Sequence, residues 1–183
     1  VWDFDFNFNK ITVGNLDNSG IYWTDTDDNT MYSAAVAFKV TISDEMLLAS
    51  GVLRRSDAGF TGFTPVSAMS PEPRYHPKHR ITGISIVTLE DMSPGISAGT
   101  DVTGLFVAHL PHFKTHDFLY LDAEELPSAL DQEFYPGEPS VSFQLFCREN
   151  IAGNAAQFLI TVTLSDESTL SATTNPINLV RSE

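Results

Sequence analysis

Hydrophobic and polar residues alternate with a period of two through most of this chain, the spacing of a strand with one covered face. VWDFDFNFN (1–9) sets Trp2, Phe4, Phe6 and Phe8 on one side and Asp3, Asp5, Asn7 and Asn9 on the other. VAFKVTI turns Val36, Phe38, Val40 and Ile42 the same way, and VSFQLFC does so with Val141, Phe143, Leu145 and Cys147. FLITVTL aligns Phe158, Ile160, Val162 and Leu164. RITGISIVTL places Ile84 and Ile86 on one side with Val87 and Leu89 on the other, a pattern that suits a strand covered on both faces. TLSATTNPINLV predicts a last strand pair, or an edge strand broken at Pro176.

Between these runs lie the Gly, Pro, Ser and Asp clusters NLDNSG, DTDDN, SPEPRYHP, MSPGISAGTD and YPGEP, which are turn chemistry. Helical signal is limited to DEMLLAS and DAEELPSAL, the second kept short by Pro127. The expected fold is all-β, an immunoglobulin-like β-sandwich with at most one or two short helices. It is expected to occupy residues 1–183 as a single domain, with 54–80 as an irregular excursion from one end.

Length and composition agree. A chain of 183 residues with 42% hydrophobic and 11% aromatic content can fill one sizeable core. The net charge of −14 excludes a nucleic-acid binder, which must present a basic face to phosphates, and disfavours an anionic membrane surface. The charge is uneven, because residues 73–116 hold only three acids against four bases and carry all five histidines. RYHPKHR (74–80) is the densest part of that island. Any anionic partner would go there, although a solvated loop is the plainer account. No apolar run is long enough to cross a bilayer as a helix. The chain opens on Val1 without a signal-like segment, as expected of a mature or trimmed product.

NLDNSG (15–20), SAAVAFKVTI (33–42), GTDVTGLF (99–106) and FLITVTLSDESTLSATTNPINL (158–179) resemble small lipoproteins of unknown function from Bacteroidetes. The resemblance covers most of the chain but rests on turn-and-strand patterns that carry no chemistry. It implies an exported, β-rich protein at the outer-membrane surface or in the periplasm, lipid-anchored through an N-terminal cysteine in its full-length form. That cysteine is not in this sequence, which fits either a chain cut just after it or a soluble protein.

Candidate chemistry is sparse. His109, His112 and His116 form H-x2-H-x3-H beside Asp117, which suggests zinc, with His76 and His79 as further ligands if 54–80 folds back. Pro111 opposes a helix through all three, no glutamate base lies between His112 and His116, and Lys114 would repel a cation. DTDDN offers Asp25, Asp27 and Asp28 to calcium, but Thr30 and Val36 stand where an EF-hand needs glycine and glutamate. GISAG matches G-x-S-x-G around Ser97 without the strand and helix that a nucleophile elbow requires. Cys147, the single cysteine, reads as a small buried hydrophobe. Trp23, Tyr75 and Tyr135 lie in polar Pro/Gly stretches and are the expected ligand-binding aromatics.

No cofactor is expected beyond zinc or calcium. The expected function is a non-enzymatic envelope module that binds an unidentified small ligand, glycan, peptide or protein. Two alternatives stand beside it. One is a zinc protein or metal-dependent hydrolase using the 109–116 histidines. The other is a structural envelope protein pairing through a sheet edge, for which FQLFC and FLITVTL are long enough.

Overall fold

The FLITVTL run forms a strand, Phe158–Leu164, in which Phe158, Ile160, Val162 and Leu164 are buried while Leu159, Thr161 and Thr163 stay half-buried on the other face. The rest of the chain is built around covering that apolar face. The structure, a computed structural model, describes residues 2–49, 72–111 and 118–181.

In chain order, β1 (Asp3–Phe6), β2 (Lys10–Asp17), β3 (Thr24–Thr26), β4 (Thr30–Tyr32) and β5 (Ala37–Ser43) precede helix α1 (Glu45–Ala49). Then come β6 (Arg74–Pro77), β7 (Ile81–Thr88), β8 (Phe106–Pro111) and β9 (Phe118–Asp122), followed by helix α2 (Leu126–Ala129). The chain closes with β10 (Tyr135–Pro136), β11 (Ser140–Cys147), β12 (Ala155–Ala156), β13 (Phe158–Leu164), β14 (Thr169–Thr173) and β15 (Ile177–Val180). Asp44 caps α1, accepting the Leu47 amide at 3.1 Å. Pro127 sits in the first turn of α2, where its missing N–H costs nothing.

Two antiparallel sheets face each other. One has six strands in the order β3-β2-β5-β11-β8-β9, and the other has three, β14-β13-β7. The six-stranded sheet sends Phe38, Val40 and Ile42 from β5, Phe143 and Leu145 from β11, and Phe106 and Ala108 from β8 inward. The Phe158 ring meets Phe38 at 5.6 Å and Phe106 at 5.4 Å, so it ties the two sheets together. Two small mixed sheets, β12-β15-β4 and β1-β6-β10, flank this pair. The architecture is the expected all-β sandwich with two short helices.

Three expectations need correction. The stretch 54–80 is not irregular throughout: residues 50–71 lie outside the described residues, but Arg74–Pro77 is strand β6, paired in parallel with β1. Neither strand proposed as a pairing edge is one. FQLFC belongs to β11, between β5 and β8, and FLITVTL is β13, between β14 and β7, so both have partners on each side. The β1 aromatic stripe is also split, with Phe6 and Phe8 buried, Phe4 half-buried and Trp2 65% exposed.

The third correction continues in the sheet β1-β6-β10. Tyr75 stacks on Phe4 at 5.5 Å, and Tyr135 meets Phe6 and Phe8 edge-on at 5.9 Å each. Their rings extend the hydrophobic core to this flanking sheet, and their two hydroxyls are buried with no hydrogen-bond partner among the described residues. Burial pushes both phenols above their usual range, with Glu138 adding to the effect at Tyr75 and Asp131 at Tyr135. An unpartnered buried hydroxyl is destabilising by ~1–3 kcal/mol. Tyr135→Phe is therefore expected to stabilise the protein by about 1 kcal/mol, whereas Phe158→Ala is expected to cost ~3–5 kcal/mol. Urea unfolding midpoints at constant slope test both, and a destabilised Tyr135→Phe would show that the hydroxyl is satisfied.

Candidate functional site

The outer face of the six-stranded sheet, turned away from the core, carries the groups best placed for recognition. In β8 alternate residues reverse direction, so Phe106, Ala108 and Leu110 are inside while Val107 and His109 point out. The register aligns one outward residue from each of five strands. His109 is opposite Gln144 on one side and Tyr120 on the other. Gln144 is opposite Lys39, and Lys39 is opposite Gly14. Gly14, Lys39, Gln144, His109 and Tyr120 therefore form a row across β2, β5, β11, β8 and β9.

His109 is only 2% exposed although it lies on the outer face. Its Nδ1 is 2.7 Å from Oε1 of Gln144, so the two side chains are hydrogen-bonded. The imidazole lies 4.7 Å from the Tyr120 ring and 5.7 Å from the Trp23 ring, centre to centre. Trp23 also touches Phe146 at 6.4 Å. Tyr120 itself is 60% exposed and Trp23 half-buried. The result is an aromatic patch, open to solvent, seated on a polar pair whose geometry is held by a hydrogen bond.

Trp23 reaches this face from the connection between β2 and β3. Asp17 pins that connection, accepting from the Ser19 hydroxyl at 2.6 Å and the Ser19 amide at 3.0 Å. These bonds, the hydroxyl's foremost, hold the Asp17 carboxyl below its usual range. Ile21 and Tyr22 then project almost fully into solvent while Trp23 turns back onto the sheet.

At the opposite end of the row a groove of ≈ 410 Å³ is lined by Thr12, Gly14, Asp25, Asp27, Lys39 and Thr41, among others. Lys39 Nζ donates to Asp25 at 3.0 Å. A β-carbon built on Gly14 would meet nothing within 4 Å, so the glycine leaves the groove open.

Of the aromatics expected to bind ligand, only Trp23 is on a solvent-facing patch. Tyr75 and Tyr135 are 0% and 4% exposed, because the Pro/Gly stretches around them form β6 and β10 over Phe4, Phe6 and Phe8. They are structural. Among the described residues no three His, Cys, Asp or Glu side chains converge as metal ligands. For the calcium trio the reason is local: Asp25 is engaged by Lys39, and Asp28 accepts the Thr30 amide at 2.9 Å in a tight turn.

His112 and His116 lie outside the described residues. His76 and His79 do not join His109. His76 sits between Asp3 and the Glu133 carbonyl, and His79 lies 3.6 Å from Asp166. GISAG occupies an irregular connection after β7, with Gly95 and Gly99 at φ of 95° and 87°, and no strand or helix flanks Ser97. Cys147 is buried, which pushes its thiol up to about 11, and it donates to the Glu149 carbonyl.

Sequence reading passed over Tyr120, Gln144, Lys39 and Gly14. Two signals for them existed. FLYLD places a tyrosine on the polar phase of an otherwise apolar strand, and KITVGNLD places a glycine inside a strand, often a mark of close approach by another group.

No family model matches the chain, and no curated protein matches it. Among solved structures it is similar to a DUF4466 family protein from Parabacteroides merdae, at 7% identity and a TM-score of 0.41, over 95% of this chain and 46% of that one. It is also similar to a chain described as BspA_C_mut, at 9% identity and a TM-score of 0.26, over 92% of this chain and 45% of that one. The chain thus spans about half the length of each. Likenesses this distant carry no argument about ligand or activity.

His76 supplies a test of the flanking sheet. Its Nε2 lies 3.0 Å from Asp3 Oδ1 and its Nδ1 2.9 Å from the Glu133 carbonyl, so both ring nitrogens face acceptors and the charged ring is favoured. The Asp3 hydrogen bond is the main cause of a pKa raised above the ordinary 6.5, with Glu133, Asp3 and Asp5 adding to it. Because the folded value is raised, the stabilisation is fully present below about pH 6.5 and is lost as pH rises through the higher folded value. Thermal melts from about pH 5 to about pH 9 are expected to show this decline in the wild type and a flatter profile in Asp3→Asn. Identical profiles would show that the Asp3–His76 contact contributes nothing.

Proposed function

We propose that this chain is a non-enzymatic glycan-binding module of a bacterial cell envelope, with its binding face on the outer side of the six-stranded sheet. The observation that carries the reading is the exposed Tyr120 ring and the half-buried Trp23 ring, both against His109, which is bonded to Gln144. Aromatic faces cover the apolar face of a sugar ring, and nearby amides, hydroxyls and charged groups take its hydroxyls.

A glycan fits this face better than a peptide. Peptides are recognised on sheets chiefly by adding a strand to an edge, where main-chain groups are unpaired. Here Trp23, His109 and Gln144 lie on a face, over β8 and β11, whose main-chain groups already pair with strands on both sides, and Tyr120 joins them from the last strand, β9, through its ring. Side chains alone do the recognising. The net charge of −14 favours neutral sugars over uronic or sulfated ones. The reading is of binding without turnover: Gln144 and His109 engage each other, and Asp25 is engaged by Lys39.

Screening on an array of neutral glycans, followed by calorimetry, tests this. Tyr120→Ala and Trp23→Ala are each expected to weaken binding about tenfold or more, while Thr169→Ala on the far sheet leaves it unchanged. Tyr120 is mostly exposed, so its removal should not unfold the protein. Absence of any neutral glycan ligand, or full affinity in Tyr120→Ala, would overturn the reading.

A further inference from the structure

We infer that the ligand is an extended, linear, neutral oligosaccharide that crosses the strands at right angles, from Tyr120 on β9 to the Gly14 groove between β2 and β3. This rests on the glycan reading above and adds the ligand's shape, direction and length. The five row residues lie on five neighbouring strands, Tyr120–His109–Gln144–Lys39–Gly14, with His109 and Gln144 buried, so that the Tyr120 and Trp23 rings against His109 form the surface of the track there. Four steps between strands at ~4.8 Å give a track of ~19 Å. One step is close to the length of a pyranose unit in an extended chain, so the track suits about four units.

The two ends differ in chemistry, as a track with a fixed direction requires. Tyr120 and Trp23, each against His109, offer ring faces. The groove end offers the Thr12 and Thr41 hydroxyls, the Asp27 carboxylate, and the Lys39–Asp25 pair, which presents a donor and an acceptor 3.0 Å apart. That is the spacing of neighbouring sugar hydroxyls.

Gly14 is the discriminating residue. Glycine inside a strand lowers stability and packs nothing. At this position a β-carbon would meet no atom within 4 Å, so neither a steric contact nor a positive φ calls for glycine. Its effect is to keep the floor of the groove clear for an occupant. The charges around it, Lys39 against Asp25 and Asp27, leave a slight negative balance, which fits an uncharged chain.

The test uses β-1,4-linked gluco- and manno-oligosaccharides of two to six units as probes, titrated calorimetrically into the whole chain. Affinity is expected to rise on the order of tenfold between two and four units and then level off. Gly14→Leu, whose side chain would fill the groove, is expected to remove that gain, and Lys39→Ala to reduce it, with unchanged thermal melts confirming that both variants fold. Tyr120→Ala should weaken every length alike. Binding that depends on Tyr120 but does not grow with length, or a Gly14→Leu variant that keeps the full gain, would overturn the track while leaving the glycan reading in place. Failure of every probe, together with silence on the neutral-glycan array, would overturn both.

Discussion

Contact between two sheets through a few large rings is the constraint on which the molecule depends. Phe158 on β13 packs between Phe38 on β5 and Phe106 on β8, strands that are not neighbours, since β11 lies between them. One ring thereby fixes how the three-stranded sheet sits over the middle of the six-stranded one. Once that face is covered, strand periodicity forces the intervening residues outward. His109 and Gln144 point away from the core because Ala108, Leu110, Phe143 and Leu145 point into it. The outer face is thus a by-product of the packing inside, and its chemistry is free to vary.

That freedom is used unevenly. The three-stranded sheet turns mostly small and hydroxyl-bearing groups to solvent, among them Ser85, Thr161 and Ser171, with Thr161 and Ser171 bonded at 2.9 Å. The six-stranded sheet instead concentrates rings, an amide, an imidazole and an ion pair along one line. Burying His109 against Gln144 makes sense there. A polar pair under an aromatic surface holds the rings against it at fixed positions.

Legibility from sequence followed the range of the interactions. The inward faces of β5, β11 and β13 were readable because each alternation is complete within seven or eight residues. What could not be read was pairing. Tyr75 looks like a loop residue until β1, some seventy positions earlier in the chain, aligns beside it and turns it into core. Asp25 looks like a calcium ligand until the β2–β3 register brings it to Lys39. FQLFC and FLITVTL look like edges until partners arrive on both sides. Tyr120 and Gln144 were missed for a related reason: a residue's outward direction is local, but its neighbours across the strands are not. Turn and helix signals fared better, since Pro127, Pro176 and the glycines of GISAG act on the backbone within a few residues.

Cys147 closes the inner face of β11 with its sulfur buried and its proton tightly held. As the single sulfhydryl of the chain, buried and with a raised pKa, it is expected to react slowly with alkylating reagents while the sheets stay together and faster when they part. The native chain thus contains its own clock for opening of the sandwich, readable by mass without any engineered label. The same burial favours selective tagging of exposed positions through an added cysteine, with the resident thiol expected to compete little under native conditions.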